Sequence, residues 1–244
     1  ENKLSKKARG KFRELVKQRA KGLPVAYLTA EKEFFGRKFH VNPSVLIPRP
    51  ETEQLVELVL QSLKNYQLPT TNHQLLDLGT GSGCIAITLA AMMPIASDNG
   101  HHCKITASDI SPTALNLARW NAKLHKVKIK FVKSDLFKNI KGEFDIIVAN
   151  LPYVPAANYQ KLKKTLRFEP KIALTDGTNI WRLYDRFFRQ LPGHIKPRAK
   201  IFLEIDPTSK NRIIKWAKLH FPRISIKFHR DLNGKIRYVM LTCE

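Results

Sequence analysis

The chain predicts an α/β fold built on a seven-stranded, doubly wound sheet, and three observations carry that expectation. Short apolar runs suited to buried strands alternate with longer segments of helical period. One of those strands passes into a helix through the glycine-rich turn Gly79-Thr80-Gly81-Ser82-Gly83. The chain closes with two strand patterns joined by Asn233-Gly234, the signature of an antiparallel hairpin. At 244 residues and 43% hydrophobic content, there is enough chain for one such domain with a small appendage.

Composition narrows the class further. No apolar stretch approaches the roughly 20 residues needed to span a bilayer. The opening Glu1-Asn2-Lys3-Leu4-Ser5-Lys6-Lys7 lacks the apolar centre of a secretory signal, so a cytoplasmic protein with no membrane partner is expected. Cys84, Cys103 and Cys243 are scattered without paired spacing, which points to reduced thiols and to neither a disulfide framework nor a metal site. Lysine and arginine number 43 against 20 acidic residues, a net charge of +23. Such an excess attracts polyanions, either RNA held non-specifically by the basic surface or an acidic protein. A merely solvated basic face is the plain alternative.

Taken in order, Ala8, Phe12, Leu15 and Val16 fall at helical spacing among lysines and arginines, so a basic amphipathic helix is predicted, closed by Gly22-Leu23-Pro24. It cannot bury its apolar stripe alone. From Glu33 to Ile47 the pattern reads as a short hairpin and its exit. Pro48-Arg49-Pro50-Glu51-Thr52-Glu53 then opens a helix whose apolar face is Leu55, Val56, Val59, Leu60 and Leu63. Residues 67–72 read as a linker, and 93–102 as a loop insert with His101-His102 exposed.

The segment Gln74 to Ala91 is a strand, a tight loop and a helix, with the pattern Asp-x-Gly-x-Gly-x-Gly from Asp77 to Gly83. Glycines let backbone approach a ligand, and the helix start offers free N–H groups. Position 84 is Cys and no Lys follows, so this is neither the dinucleotide fingerprint nor a phosphate-binding P-loop. Asp77 at the entrance suits a ligand with a cationic amino-acid end. A second strand, Lys104 to Ser108, ends at Asp109, where an acid either holds a nucleoside's ribose hydroxyls or caps the helix opened by Ser111-Pro112. A third, Lys128 to Val132, leads to Ser134-Asp135-Leu136-Phe137. There Asp135 and Leu136 either receive an adenine or form a surface turn. The alternation continues through a helix (Ile180 to Leu191), a strand (Ala199 to Ile205), a helix (Pro207 to His220) and the strand pair around Asn233-Gly234. A seven-stranded sheet of this kind is expected of an S-adenosylmethionine enzyme.

The fourth strand, Phe144 to Ala149, delivers Asn150-Leu151-Pro152-Tyr153 to a strand's carboxyl end, where open α/β sheets bind ligands. An amide or exocyclic nitrogen has a delocalised lone pair and is a poor nucleophile. The Asn150 side-chain oxygen and the carbonyl of residue 151 would accept its two hydrogens and aim it at a sulfonium methyl, with no strong general base required. Tyr153 would stack on the planar group. The alternative is a loop in which Asn150 only caps local backbone.

Phe34-Phe35-Gly36-Arg37-Lys38-Phe39, Leu46 to Glu53, Asp77 to Gly83, Asn150-x-Pro152-Tyr153 and Glu169-Pro170 together resemble the HemK/PrmC family. Members are S-adenosylmethionine-dependent N5-glutamine methyltransferases that modify the Gly-Gly-Gln glutamine of peptide chain release factors, producing S-adenosylhomocysteine without a metal. The resemblance implies that Gly79, Thr80, Gly81, Gly83, Asp109 and Asn150 touch the cofactor, with Asp77 and Asp135 beside them and Leu136 at the adenine. It implies that Asn150, Leu151, Pro152 and Tyr153 hold the substrate, with Asn150, Pro152 and Tyr153 as the catalytic set. It also implies a division into 1–24, the remnant of an amino-terminal substrate-recognition domain; 25–50, hairpin and connection; and 51–244, the catalytic domain. One departure stands out: Leu151 replaces the first proline of the family's Asn-Pro-Pro-Tyr. Asn-Leu-Pro-Tyr is similar to ribosomal RNA adenine dimethyltransferases, so an N6-adenine methyltransferase is the alternative. A third reading is a non-catalytic basic RNA-binding module on the same fold.

Overall fold

The computed structural model describes residues 5–64, 72–93, 102–159, 164–175, 177 and 180–243. The expected linker up to residue 71, the insert at 94–101 and Asp176 lie outside the described residues. The chain begins with α1 (Lys6–Ala20), capped by the Ser5 hydroxyl, and with α2 (Val25–Thr29), a single turn too short to show a helical period in the sequence. β1 (Glu31–Phe34) and β2 (Arg37–His40) form a separate two-stranded sheet. Their two-residue turn, Phe35-Gly36, has φ of +53° and +68°, the mirror-image turn that matches strand twist. α3 (Pro50–Lys64) follows, with Glu51 and Glu53 in its first turn.

The main domain is β3 (Asn72–Leu78), α4 (Cys84–Met92), β4 (His102–Asp109), α5 (Pro112–Leu124), β5 (Lys130–Lys133) and β6 (Phe144–Ala149). Then come the short α6 (Ala156–Tyr159) and α7 (Lys171–Leu174), α8 (Ile180–Gln190), β7 (Ile195–Glu204), α9 (Lys210–His220), β8 (Ile224–Arg230) and β9 (Ile236–Cys243). The sheet order is β5-β4-β3-β6-β7-β9-β8, parallel except for β9, which runs antiparallel to both neighbours. This is the predicted seven-stranded doubly wound sheet with its closing hairpin. The order reverses between β3 and β6, the switch point where crevices open in such sheets.

Side chains alternate between the two faces of the sheet as the pleat requires. Ile146 and Val148 of β6 join Leu75, the α3 residues Leu55, Val56 and Val59, and the hairpin's Phe34 and Phe39 on one face. Ile147 and Ala149 join Tyr184, Phe187 and Phe188 of α8 and Ile213 and Ala217 of α9 on the other. All six residues of β6 are buried, which is why its sequence is apolar without alternation except at Asp145, whose carboxylate is paired with Lys196 and the Gln74 N–H. β7 begins earlier than expected, at Ile195 instead of Ala199. Pro197 lies where the ladder with β6 slips, between Ile195 opposite Phe144 and Lys200 opposite Ile146, so its missing N–H is not needed.

Candidate active site

The carboxyl ends of the central strands surround a cavity of about 290 Å³, closed from the other side by Pro48, Arg49 and Pro170. The glycine loop forms one wall. The N–H groups of Gly79 and Thr80 both donate to the Ser108 carbonyl at 2.8 Å, which ties the loop to the end of β4. Gly81 has φ +55°, and a Cβ there would meet nothing within 4 Å, so the backbone faces open space. Gly83 is different. It has φ +84°, and a Cβ would stand 2.8 Å from Ile87 Cδ1 and 3.2 Å from Ala118 Cβ, so this glycine permits α4 to pack on α5 and does not line the cavity.

Asp77 is placed behind the loop. It is fully buried, is absent from the cavity wall, and its Oδ2 accepts from Thr80 Oγ1 at 2.6 Å and Ala86 N at 3.1 Å. It therefore shapes the turn and caps α4. Burial pushes its carboxyl up to about 7, against the hydrogen bonds from Thr80 and Ala86. A residue that sequence reasoning passed over completes the loop: Asn121 of α5, fully buried, donates to Ser82 O at 2.8 Å and exchanges hydrogen bonds with the His40 backbone at 2.9 and 3.0 Å. The hairpin is thereby fastened to the glycine loop.

Asp109 binds local backbone and faces the cavity as well. Its Oδ1 accepts from Ser111 N and its Oδ2 from Gly81 N, each at 2.9 Å, while the carboxylate also lines the cavity. Burial raises its pKa against the hydrogen bonds from Ser111 and Gly81. Asp135 and Leu136 line the same cavity, so this stretch is more than a surface turn. Arg186 of α8 donates to Asp135 Oδ2 at 2.6 Å, a partner separated by 51 residues that no local pattern announces.

Asn150, Leu151 and Pro152 stand on the cavity wall, whereas Tyr153 does not. The Asn150 amide is fixed from below: Nδ2 donates to Thr52 Oγ1 at 3.1 Å and to Glu204 Oε2 at 3.0 Å. Tyr153 also turns to Glu204, with its hydroxyl 3.3 Å from Oε1. Burial, reinforced by the Glu204 charge, pushes the Tyr153 phenol well above its ordinary value. Leu151 is buried, and its Cδ2 lies 3.5 Å from where a Cβ on Gly79 would sit. Its side chain thus belongs to the core. Above the tetrapeptide, Glu169 accepts from Ile47 N at 3.0 Å and from Arg49 Nη2 at 2.5 Å, which joins two motifs 120 residues apart. Among the described residues no cluster of His, Cys, Asp or Glu could hold a metal ion, and no helix is long and apolar enough to cross a membrane.

Comparison with known proteins agrees with this geometry. The family profile of the Methyltransferase small domain matches residues 51–191. The release factor glutamine methyltransferase of Koribacter versatilis is 38% identical over 208 residues, covering 84% of this chain and 70% of that protein. The enzyme of the same name from Bacillus cereus is 32% identical over 237 residues, covering 96% and 81%. Among solved structures, the T. thermophilus 16S rRNA N2 G1207 methyltransferase in complex with AdoMet and guanosine superposes with a TM-score of 0.60 at 18% identity, over 88% of this chain and 49% of that one; this likeness concerns the fold. Matched along most of its length, with Leu46, Pro48, Gly79, Gly81, Asn150 and Pro170 of its motifs lining one cavity, the chain belongs to the release factor glutamine methyltransferase family.

Proposed function

We propose that this chain binds S-adenosylmethionine in the cavity beside the glycine loop and methylates the side-chain amide nitrogen of the Gly-Gly-Gln glutamine in a peptide chain release factor. The observation that carries the reading is the orientation of Asn150. With both Nδ2 hydrogens given to Thr52 and Glu204, the oxygen Oδ1 is left as an acceptor at the cavity wall, and among the described residues no group donates to it.

The cavity suits such a cofactor on its own terms. Gly81 offers bare backbone, Asp109 offers a carboxylate with lone pairs to spare for ribose hydroxyls, and Ser108 brings to the same wall a buried hydroxyl that has no hydrogen-bond partner. Leu136 supplies an apolar surface for the base. S-adenosylmethionine supplies an electrophilic methyl on a sulfonium, which leaves as the neutral thioether S-adenosylhomocysteine. The residues do the rest. Asn150 Oδ1 and the Leu151 carbonyl accept the two amide hydrogens, hold the nitrogen in line, and favour the positive charge that grows on it as the C–N bond forms and the C–S bond breaks. The surplus proton leaves to solvent. Because residue 151 acts through its carbonyl while its side chain fills the core, leucine serves in place of proline. Tyr153 is held through its hydroxyl by Glu204. We assign α1, with Phe12 62% and Val16 49% exposed, to contact with the release factor, and the basic surface to non-specific RNA contact near the ribosome.

The test is to incubate the protein with methyl-labelled cofactor and either release factor or ribosomal RNA. Label is expected on the Gly-Gly-Gln glutamine; label on adenine alone would replace this reading with the RNA one, and failure to bind the cofactor would favour the non-catalytic one. Asn150→Ala should lower the single-turnover rate about 100-fold or more while cofactor binding persists.

A further inference from the structure

A buried carboxylate stands behind the Asn150 amide, and its charge has no part in the mechanism so far. Glu204 is the last residue of β7, next to β6 in the sheet, and is 1% exposed. Residues 201–203 before it are buried and apolar, so the strand itself has no need of a charge there. Taking a carboxylate out of water costs several kcal/mol unless it is well paired. Its neighbours meet that need in a particular way. Oε2 accepts from Thr52 Oγ1 at 2.8 Å and from Asn150 Nδ2 at 3.0 Å, and Oε1 accepts from the Tyr153 hydroxyl at 3.3 Å. Thr52 spends its single proton on Glu204, so toward Asn150 Nδ2 it can only accept. The Asn150 amide nitrogen can only donate and both hydroxyls are free to do so, an environment that suits an ionised carboxylate.

We propose that Glu204 is a positioning residue for methyl transfer: as a carboxylate, with Thr52, it locks the Asn150 amide with nitrogen down and oxygen toward the substrate, and sets a fixed negative charge behind the nitrogen being methylated. An asparagine amide is nearly symmetric in shape, so packing alone does not choose between its two orientations. Flipped, it would aim N–H groups at the substrate's own N–H groups. Two acceptors beneath Nδ2 remove that choice. The anion also draws the Nδ2 hydrogens, which pushes electron density onto Oδ1 and strengthens its grip on the substrate as positive charge develops. This inference rests on the functional reading above.

The groups facing Glu204 are Thr52 and Glu51 of α3, Tyr153, Tyr184 of α8, and Arg237 and Tyr238 of β9. Burial raises the Glu204 pKa and Glu51 adds to that, while Thr52, Arg237 and Tyr153 oppose it. Protonation as pH falls would remove the charge, turn a hydroxyl contact around and weaken the hold on Asn150, so the rate should have an acid limb belonging to this residue.

The experiment compares wild type, Glu204→Gln, Thr52→Val and Thr52→Ser in single turnovers with release factor, alongside S-adenosylmethionine binding by calorimetry and a pH titration of the Glu204 carboxyl by ¹³C NMR. Glu204→Gln should lower the rate about 10- to 100-fold. Its KM for release factor should stay within about threefold, its cofactor affinity should be unchanged, and the acid limb should disappear. Thr52→Val should be about tenfold slow, and Thr52→Ser should recover the rate. In the wild type, the carboxyl resonance should titrate with the midpoint of the acid limb. A Glu204→Gln protein with wild-type rate and acid limb overturns the proposal. So does a wild-type rate in Thr52→Val, which decides the matter if the glutamine variant does not fold. If the wild type labels no release-factor glutamine, it is the functional reading that fails; the NMR titration still judges the charge, and a carboxyl that stays protonated above about pH 8 overturns it.

Discussion

Alanine at Gly83 and alanine at Gly81 should separate the two duties of the glycine loop. At Gly83 the backbone has φ +84°, and the left-handed region costs a residue with a Cβ about 1–2 kcal/mol. The added methyl would also stand 2.8 Å from Ile87 Cδ1, closer than real contacts allow, and 3.2 Å from Ala118 Cβ, tighter than most of them. Forcing α4 and α5 apart to admit it is overpacking of a buried interface, worth about 1–3 kcal/mol. The expected loss is therefore about 2–5 kcal/mol, a large share of a domain's stability. At Gly81 the φ of +55° carries the same conformational cost, yet no atom lies within 4 Å, so a loss of about 1–2 kcal/mol is expected. Its methyl enters the space in which the cofactor is proposed to lie. Denaturant unfolding, read as a shift of midpoint at constant slope, measures the first effect, and calorimetric titration with S-adenosylmethionine measures the second. A Gly83→Ala protein destabilised by less than about 1 kcal/mol would refute the packing argument, as would a Gly81→Ala protein that is the less stable of the two.

Asp77 should impose a pH dependence on stability. Its folded pKa of about 7 lies above the unfolded value near 3.9, so the folded state holds the proton more tightly. The associated stability is present below about pH 4 and is lost as pH rises through about 7; subtracting the profile of Asp77→Asn should isolate that slope, and identical slopes would contradict the assignment. Glu169→Ala should cost about 2–4 kcal/mol, because it leaves the Ile47 N–H and the Arg49 guanidinium without their acceptor in a mostly buried setting. Thermal unfolding reads that loss, and a change within about 0.5 kcal/mol would show the clasp to be dispensable.

Some of this site was legible because its information is local. The pattern from Asp77 to Gly83 encodes strand, turn and helix within a dozen neighbouring residues, and the run from Phe144 to Ala149, apolar but for Asp145, reads as a buried strand. What those motifs do in detail was less visible. Asp77 was expected to meet a ligand, and its Oδ2 holds the loop and the start of α4 from behind. Gly83 was grouped with glycines that approach a ligand and instead spaces two helices. Tyr153 was expected to stack on the substrate, and the buried acid that its hydroxyl meets had no sign in the motif. Glu204 left one trace, an acid closing the apolar stretch Ile201-Phe202-Leu203, and that trace has no meaning until Asn150 is seen above it.

The sequence by itself determined the sheet, its closing hairpin, the family and the tetrapeptide at a strand end, since alternation, turn chemistry and motif spacing act between residues close along the chain. Only the tertiary structure decided which way the Asn150 amide faces. That orientation depends on Thr52 and Glu204, 98 and 54 residues distant, and hydrogen bonds across such separations exist only once the sheet has brought α3, β6 and β7 together.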